Sequence, residues 1–209
     1  QDALQQKDLL LKEVHHRVKN NLQVIHSLLD LQALKISDTD MVDLLRDSQN
    51  RIRSMSLIHQ TLYQSQNFAQ VDFQRFLGEL LPRLTEAYAS MSNQVRITIN
   101  AHDVKLPINE AIPCGLIVNE LVSNALKHGF PGQQTGQVEV NIREHEDNWV
   151  ELSISDDGEG IPRDLDIART DSLGLQLVNL LAQQLHGQLD IRRAKPTRFS
   201  LRFQLGTAS

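Results

Sequence analysis

Four short segments of this 209-residue chain carry side chains whose types and spacing permit chemistry. The stretch Asn119-Glu120-Leu121-Val122-Ser123-Asn124-Ala125-Leu126-Lys127-His128 reads as helix, with Glu120, Asn124, Lys127 and His128 on one polar face. A hard cation such as Mg2+ takes oxygen ligands and retains water, so the amide oxygen of Asn124 together with phosphate oxygens suits it. Lys127 would then offset phosphate charge. A second segment, Asp156-Asp157-Gly158-Glu159-Gly160-Ile161-Pro162, follows the alternating strand residues Val150, Leu152 and Ile154. A carboxylate fixed at a strand end, here Asp156, can accept a hydrogen bond from the exocyclic amine of adenine, and flanking glycines let a base approach the backbone. The third, Ser172-Leu173-Gly174-Leu175-Gln176-Leu177-Val178, opens an apolar helix whose first amides can cradle phosphate. Taken singly, each has a bland alternative: a solvated helix face, an acidic turn, an ordinary helix start.

The fourth segment is Glu13-Val14-His15-His16-Arg17-Val18-Lys19-Asn20. At about 100° per residue, His15 falls roughly 60° from Val18, beside Leu11 and Leu22, whereas His16 falls roughly 160° away among Lys12, Glu13, Lys19 and Asn20. His16 is therefore expected to face water. Accepting a phosphoryl group requires an unprotonated ring nitrogen in line with phosphorus, which favours His16 as nucleophile and leaves His15 to pack or orient. Glu13, on the same face, can hydrogen-bond the distal imidazole nitrogen and select the reactive tautomer. Asn20, one turn on, can position water for dephosphorylating a partner or can be plain polar surface. His59 falls within an apolar stripe and reads as a buried side chain, and Cys114 as core packing.

Two differently built parts must position these groups. Glycine and proline are absent from the first 77 residues, whereas seven of the ten glycines lie between Gly129 and Gly187. Long uninterrupted helices suit the first part and frequent turns the second. Leu11, Val14, Val18, Leu22, Ile25 and Leu29 recur at helical spacing. Ser37-Asp38-Thr39-Asp40 then supplies turn and N-cap chemistry, and Met41, Leu44, Leu45, Ile52, Met55, Ile58 and Leu62 restart the period. The expectation over residues 1–67 is an antiparallel helical hairpin that dimerises into a four-helix bundle. Leu4 and Leu11, one heptad apart, suggest that a longer helix and a regulatory segment precede it. Over residues 68–209 the pattern predicts helices at 72–89, 109–127 and 173–185. It predicts strands at 95–101, 137–143 and 149–155, and two more near Leu189 and Phe199. Strands adjacent in sequence predict antiparallel ladders with helices on one face, an α+β sandwich.

A net charge of -5 argues against the phosphate-tracking surface of a nucleic-acid binder. The single cysteine excludes an internal disulfide or a cysteine-rich zinc site and points to a reducing, cytoplasmic compartment. No apolar run approaches the ~18 residues of a membrane span.

In this order, the three segments of the second part resemble the N box and the two glycine boxes of the Bergerat ATP-binding fold, over roughly Val71 to Gln204. Histidine kinases, gyrase-type ATPases and chaperone ATPases share that fold. The resemblance implies Asn124 for Mg2+ and Asp156 for adenine. It implies Gly158, Gly160 and Gly174, the last with its neighbours Ser172, Leu173 and Leu175, for loops around ATP. Glu120 stands where members carry an acid or an amide, a candidate for the metal or for a base, and Lys127 and His128 complete the box. Lys195-Pro196-Thr197 stands where members often show a Gly-Gly-Thr turn, so Thr197 could contact the nucleotide site.

The run His15-His16-Arg17-Val18-Lys19-Asn20-Asn21-Leu22-Gln23 is similar to the phosphoacceptor hairpin of HHR-type histidine kinases related to HWE kinases. So is Arg51-Ile52-Arg53-Ser54-Met55-Ser56-Leu57-Ile58-His59-Gln60-Thr61-Leu62-Tyr63. In that family the histidine before arginine is the acceptor, which here is His16. The resemblance implies a sensor histidine kinase core: Mg-ATP binds the second part, its γ-phosphoryl passes to His16, and a response-regulator receiver aspartate takes it from there. Two alternatives stay open, a phosphotransfer scaffold without autokinase activity and an ATPase clamp using Glu120 to activate water. Arg17 replaces the acid that commonly follows the acceptor, which leaves the assisting base open.

Overall fold

The computed structural model describes residues 2–36, 38, 41–42, 45, 48–49, 51–52, 55–56, 70–88, 95–131, 135–161 and 172–206; within the first helix, side chains are described from Arg17 onward, Lys19 excepted. The chain divides into two compact units, Gln1–Phe68 and Ala69–Ser209.

The first unit opens with one long helix, α1 (Asp2–Ala33), uninterrupted because it contains neither glycine nor proline. Asp38 supplies the expected N-cap chemistry, its carboxylate accepting from the Met41 backbone N–H at 3.3 Å. Beyond it Met41, Val42, Leu45, Ser48, Gln49, Arg51, Ile52, Met55 and Ser56 are helical. The buried Gln49 amide donates to Asp30 Oδ1 at 2.8 Å. That bond joins opposite sides of the turn, so the second helical stretch runs back along α1.

Val18, Leu22 and Leu29 of the expected stripe are half-buried, but Ile25 is 44% exposed. A second apolar stripe, Val24, Leu28 and Leu31, is 55–58% exposed. The sequence pattern did not single it out, because a helix apolar on two sides blurs its own period. Ser37, Thr39, Asp40, Leu44, Ile58, His59 and Leu62 lie outside the described residues.

The second unit begins with β1 (Val71–Asp72), followed at once by α2 (Phe73–Ala87). Asp72 caps α2 by accepting from the Arg75 N–H at 3.0 Å. Then come β2 (Val95–Asn100), β3 (Lys105–Leu106), α3 (Ile108–Asn124) and a π-helical turn, Ala125–Gly129. β4 (Gly136–Glu144), β5 (Trp149–Asp156), α4 (Leu173–Gln184), β6 (Gln188–Arg192) and β7 (Thr197–Gln204) complete the unit. The main sheet runs β2-β4-β5-β7-β6, and β1 pairs separately with β3.

Inward residues Val138, Val140 and Ile142 of β4, Val150, Leu152 and Ile154 of β5, and Phe199, Leu201 and Phe203 of β7 are buried. The alternate residues, among them Thr98, Asn100, Glu139, Asn141, Ser200 and Arg202, are polar, as in a sheet with helices on one face. One expected ladder is corrected. β2 pairs with β4 in parallel, Val95 opposite Gly136 through Asn100 opposite Asn141. The chain between them crosses over through α3, and a crossover of that length returns a strand in the same direction. The remaining ladders, β4–β5, β5–β7 and β6–β7, are antiparallel.

Candidate functional site

The described part of the site lies in the second unit, where two loops and a helix end converge on one carboxylate. Asp156 is the last residue of β5, and the ladder sets it opposite Val138 on one side and Thr197 on the other. Its Oδ1 accepts the Gly158 N–H at 3.1 Å, and the buried Thr197 hydroxyl also donates to its side chain. Thr197 is thus a direct partner of Asp156, a tighter placement than the sequence suggested.

The loop after Asp156 is tied down on two sides. The Glu159 N–H donates to Gly129 O at 3.0 Å and the Ile161 N–H to Arg193 O at 3.1 Å. Two glycines make these approaches possible. A Cβ on Gly158 would lie 2.3 Å from Gly129 O and 2.8 Å from Asp156 Oδ1. Gly160, at φ +89°, occupies a region that side chains disfavour, and a Cβ there would meet Arg193 O at 2.9 Å.

Burial raises the Asp156 carboxyl above the ordinary carboxylate range; the Gly158 N–H and the Thr197 hydroxyl pull it part of the way back, and Asp157 pushes it up again. With the folded value above the unfolded one, folding holds this proton more tightly. The associated stability is present below the ordinary carboxylate pKa of ~3.9 and is lost as pH rises through the folded value. Asp156→Asn, which keeps an acceptor but never ionises, is therefore expected to melt above the wild-type chain at pH 7. Thermal melts in a pH series should show the gap closing as pH falls toward ~4.

The helix carrying the first segment departs from the expected single polar face. Glu120 and Asn119 are 3% and 4% exposed, whereas Asn124 and Lys127 are half-buried and His128 is exposed. Two causes are visible. α3 packs against α2 on one side and α4 on another, so little of its circumference stays open. After Asn124 the chain also switches to π-helical bonding, each N–H reaching one residue further back, which breaks the 100° spacing that would align Asn124 with Lys127 and His128. Just before the switch, the Ser123 hydroxyl donates to the carbonyls of Asn119 at 2.7 Å and Glu120 at 3.1 Å, a bonding pattern that bends helices. The Asn119 side-chain oxygen is buried with no hydrogen-bond partner among the described residues.

Lys127 Nζ sits 5.4 Å from the centre of the Tyr88 ring. Ser172 precedes α4 as its N-cap without a side-chain capping bond; Leu173 is half exposed, and Gly174 and Leu175 are buried. Cys114 is fully buried, as its reading as core packing requires, and burial pushes its thiol up, with Glu110 adding to the effect.

Among the described contacts, the fold brings Asp156, Gly158 and Thr197 together and adds Gly129, which the sequence reading missed. The available signal was a glycine closing the first segment beside Phe130-Pro131. In the first unit, His16 lies within α1 and Asn20 is exposed. The side chains of Glu13, His15 and His16 lie outside the described residues.

Residues 13–88 match the family described as histidine kinase, and residues 109–207 the family described as histidine kinase-, DNA gyrase B-, and HSP90-like ATPase. The chain is 35% identical over 195 residues to the sensor histidine kinase PdtaS of Mycobacterium tuberculosis, covering 92% of this chain and 38% of that protein. It is 30% identical over 195 residues to blue-light-activated histidine kinase 2 of Erythrobacter litoralis, covering 92% and 56% respectively. It thus spans only part of each relative's length. Its structure is similar to the histidine kinase domain of the Erythrobacter litoralis blue-light-activated kinase, with a TM-score of 0.69 at 27% identity, covering 95% of this chain and 94% of that domain. Among the described residues, no helix is long and apolar enough to cross a membrane.

Proposed function

The chain belongs to the histidine kinases of the HWE-related type, and from that premise we propose that it phosphorylates its own His16 from Mg-ATP and passes the group to a response-regulator aspartate. The observation that carries this reading is Asp156, fixed at a strand end between Gly158 and Thr197 with glycine backbone on its open side. A purine amine would meet there an acceptor already oriented by the Gly158 N–H and Thr197.

Asn124 and Glu120 offer only oxygen donors on consecutive turns of one helix, a set that fits a hard cation. They would hold Mg2+, which when bound neutralises phosphate charge. Lys127 would add a cation, and the first amides of α4, at Ser172 to Leu175, would serve the phosphates as anion donors. In the transfer, a ring nitrogen of His16 forms a bond to the γ-phosphorus while the bond to the ADP oxygen breaks, and the imidazole proton leaves to a base, for which Glu13 is the nearest candidate in sequence. Positioning and charge neutralisation supply most of the rate.

The exposed stripe Val24, Leu28 and Leu31 supports a homodimer through the helical hairpin, since an isolated hairpin leaves that surface in water. An upstream sensor segment and a cytoplasmic setting complete the proposal.

Incubation with γ-labelled ATP and Mg2+ tests it. The expected result is label on the protein that acid releases and base does not. Release of free phosphate alone would favour an ATPase clamp, and failure to bind adenine nucleotide at all would overturn the reading.

A further inference from the structure

The π-helical turn carries Lys127 off the line of Asn124, yet its ammonium is not left to wander: it lies 5.4 Å from the centre of the Tyr88 ring, within the ~6 Å range of a cation–π contact. Tyr88 is itself well fixed. It closes α2, its backbone N–H bonding to the carbonyls of Leu84 at 3.3 Å and Thr85 at 3.2 Å, and it is 8% exposed. A lysine side chain is a compact charge on a flexible four-carbon stem, and ordering that stem on ligand binding costs entropy. A ring face restrains an ammonium without cancelling its charge, which a carboxylate in the same place would do.

We propose that Tyr88 is a positioning residue that preorganises Lys127 for the phosphate chain of a bound nucleotide. The proposal rests on the nucleotide-site reading above and goes beyond it by assigning a role to a ring 39 positions upstream of the lysine, outside all three ATP-site segments. The role acts on phosphates alone, because the adenine is read by Asp156 on a different element.

The test uses the whole chain with Mg2+ and two probes: the imido analogue of ATP, which is not turned over, and adenosine, which carries no phosphate. Tyr88→Met, which fills the space without a π face, is expected to weaken imido-ATP binding roughly two- to fivefold and to leave adenosine binding unchanged. Tyr88→Phe should restore wild-type affinity. In a Lys127→Met background, Tyr88→Met should have no further effect. Should Tyr88→Met fail to fold, Lys127→Arg, which still stacks, set against Lys127→Met, which does not, reads the same contact: the arginine variant is expected to stay near wild type and the methionine variant to lose phosphate-dependent affinity only.

Equal loss for adenosine and imido-ATP, unchanged or tighter imido-ATP binding by Tyr88→Met, or full additivity with Lys127→Met would each overturn the proposal. If the unmodified chain binds neither probe, the nucleotide-site reading falls, and this proposal with it.

Discussion

Replacing His16 with alanine is expected to reduce protein-bound phosphate to background in the labelling assay, while His15→Ala retains most of it. The two histidines are adjacent in the sequence, and a helical period sets successive positions about 100° apart. Val18 and Leu22, with which the helical period of the sequence groups His15, are half-buried, whereas Asn20, one turn after His16, is exposed. Only an imidazole presented to water can meet a nucleotide carried by a separate unit. Loss of label in His15→Ala with retention in His16→Ala would reverse the assignment. The acid- and base-stability of the label separates a phosphohistidine from a serine or aspartate ester. Glu13→Gln supplies a finer reading: if the carboxylate holds the imidazole tautomer, the rate of labelling falls while nucleotide affinity does not.

The second large effect is expected at Gly158. A methyl group there would meet the Gly129 carbonyl oxygen at 2.3 Å, and that oxygen is backbone, held by the Glu159 N–H. Nothing flexible is available to yield. The loop must move, which breaks the Glu159 bond and draws the Gly158 N–H away from Asp156 Oδ1. Gly158→Ala is therefore expected to lose detectable ATP binding and, as an overpacked site, about 1–3 kcal/mol of stability. Gly78 on α2 is the control. A Cβ there meets nothing within 4 Å, so Gly78→Ala is expected to bind nucleotide normally and to gain roughly 0.5–1 kcal/mol from its helical position. Calorimetric titration with Mg-ATP and a denaturant melt on each variant check both halves. Normal binding by Gly158→Ala would show that the contact between the loop and the helix end does not shape the site.

Much of this fold was legible in the linear pattern. Three helices and five strands of the second unit lie within a few residues of where periodicity places them, because each buries one face and therefore alternates or repeats. The pairs β1 and β3, two residues each, carry too few side chains to show any period. The parallel partnership of β2 and β4 was hidden for a different reason. Strand direction depends on the path of the connecting helix over the sheet, and residues local to either strand do not record it.

The candidate site divides in the same way. The N-box amide, the acid closing β5 and the glycine opening α4 stand out in the chain because their types are unusual at those positions. Their surroundings do not. Glu120 and Asn119 look like solvated helix residues until the packed unit buries them. Gly129 gains meaning only when Gly158, 29 positions later, is folded against it. Thr197 becomes a partner of Asp156 only when β7 takes its place beside β5. Residue type and short-range period together determined which elements form and which groups carry chemistry, since both are set by bonds and spacings along the chain. Tertiary structure alone decided which of those groups lose their water and which atoms touch, since desolvation and contact depend on residues that sequence holds far apart.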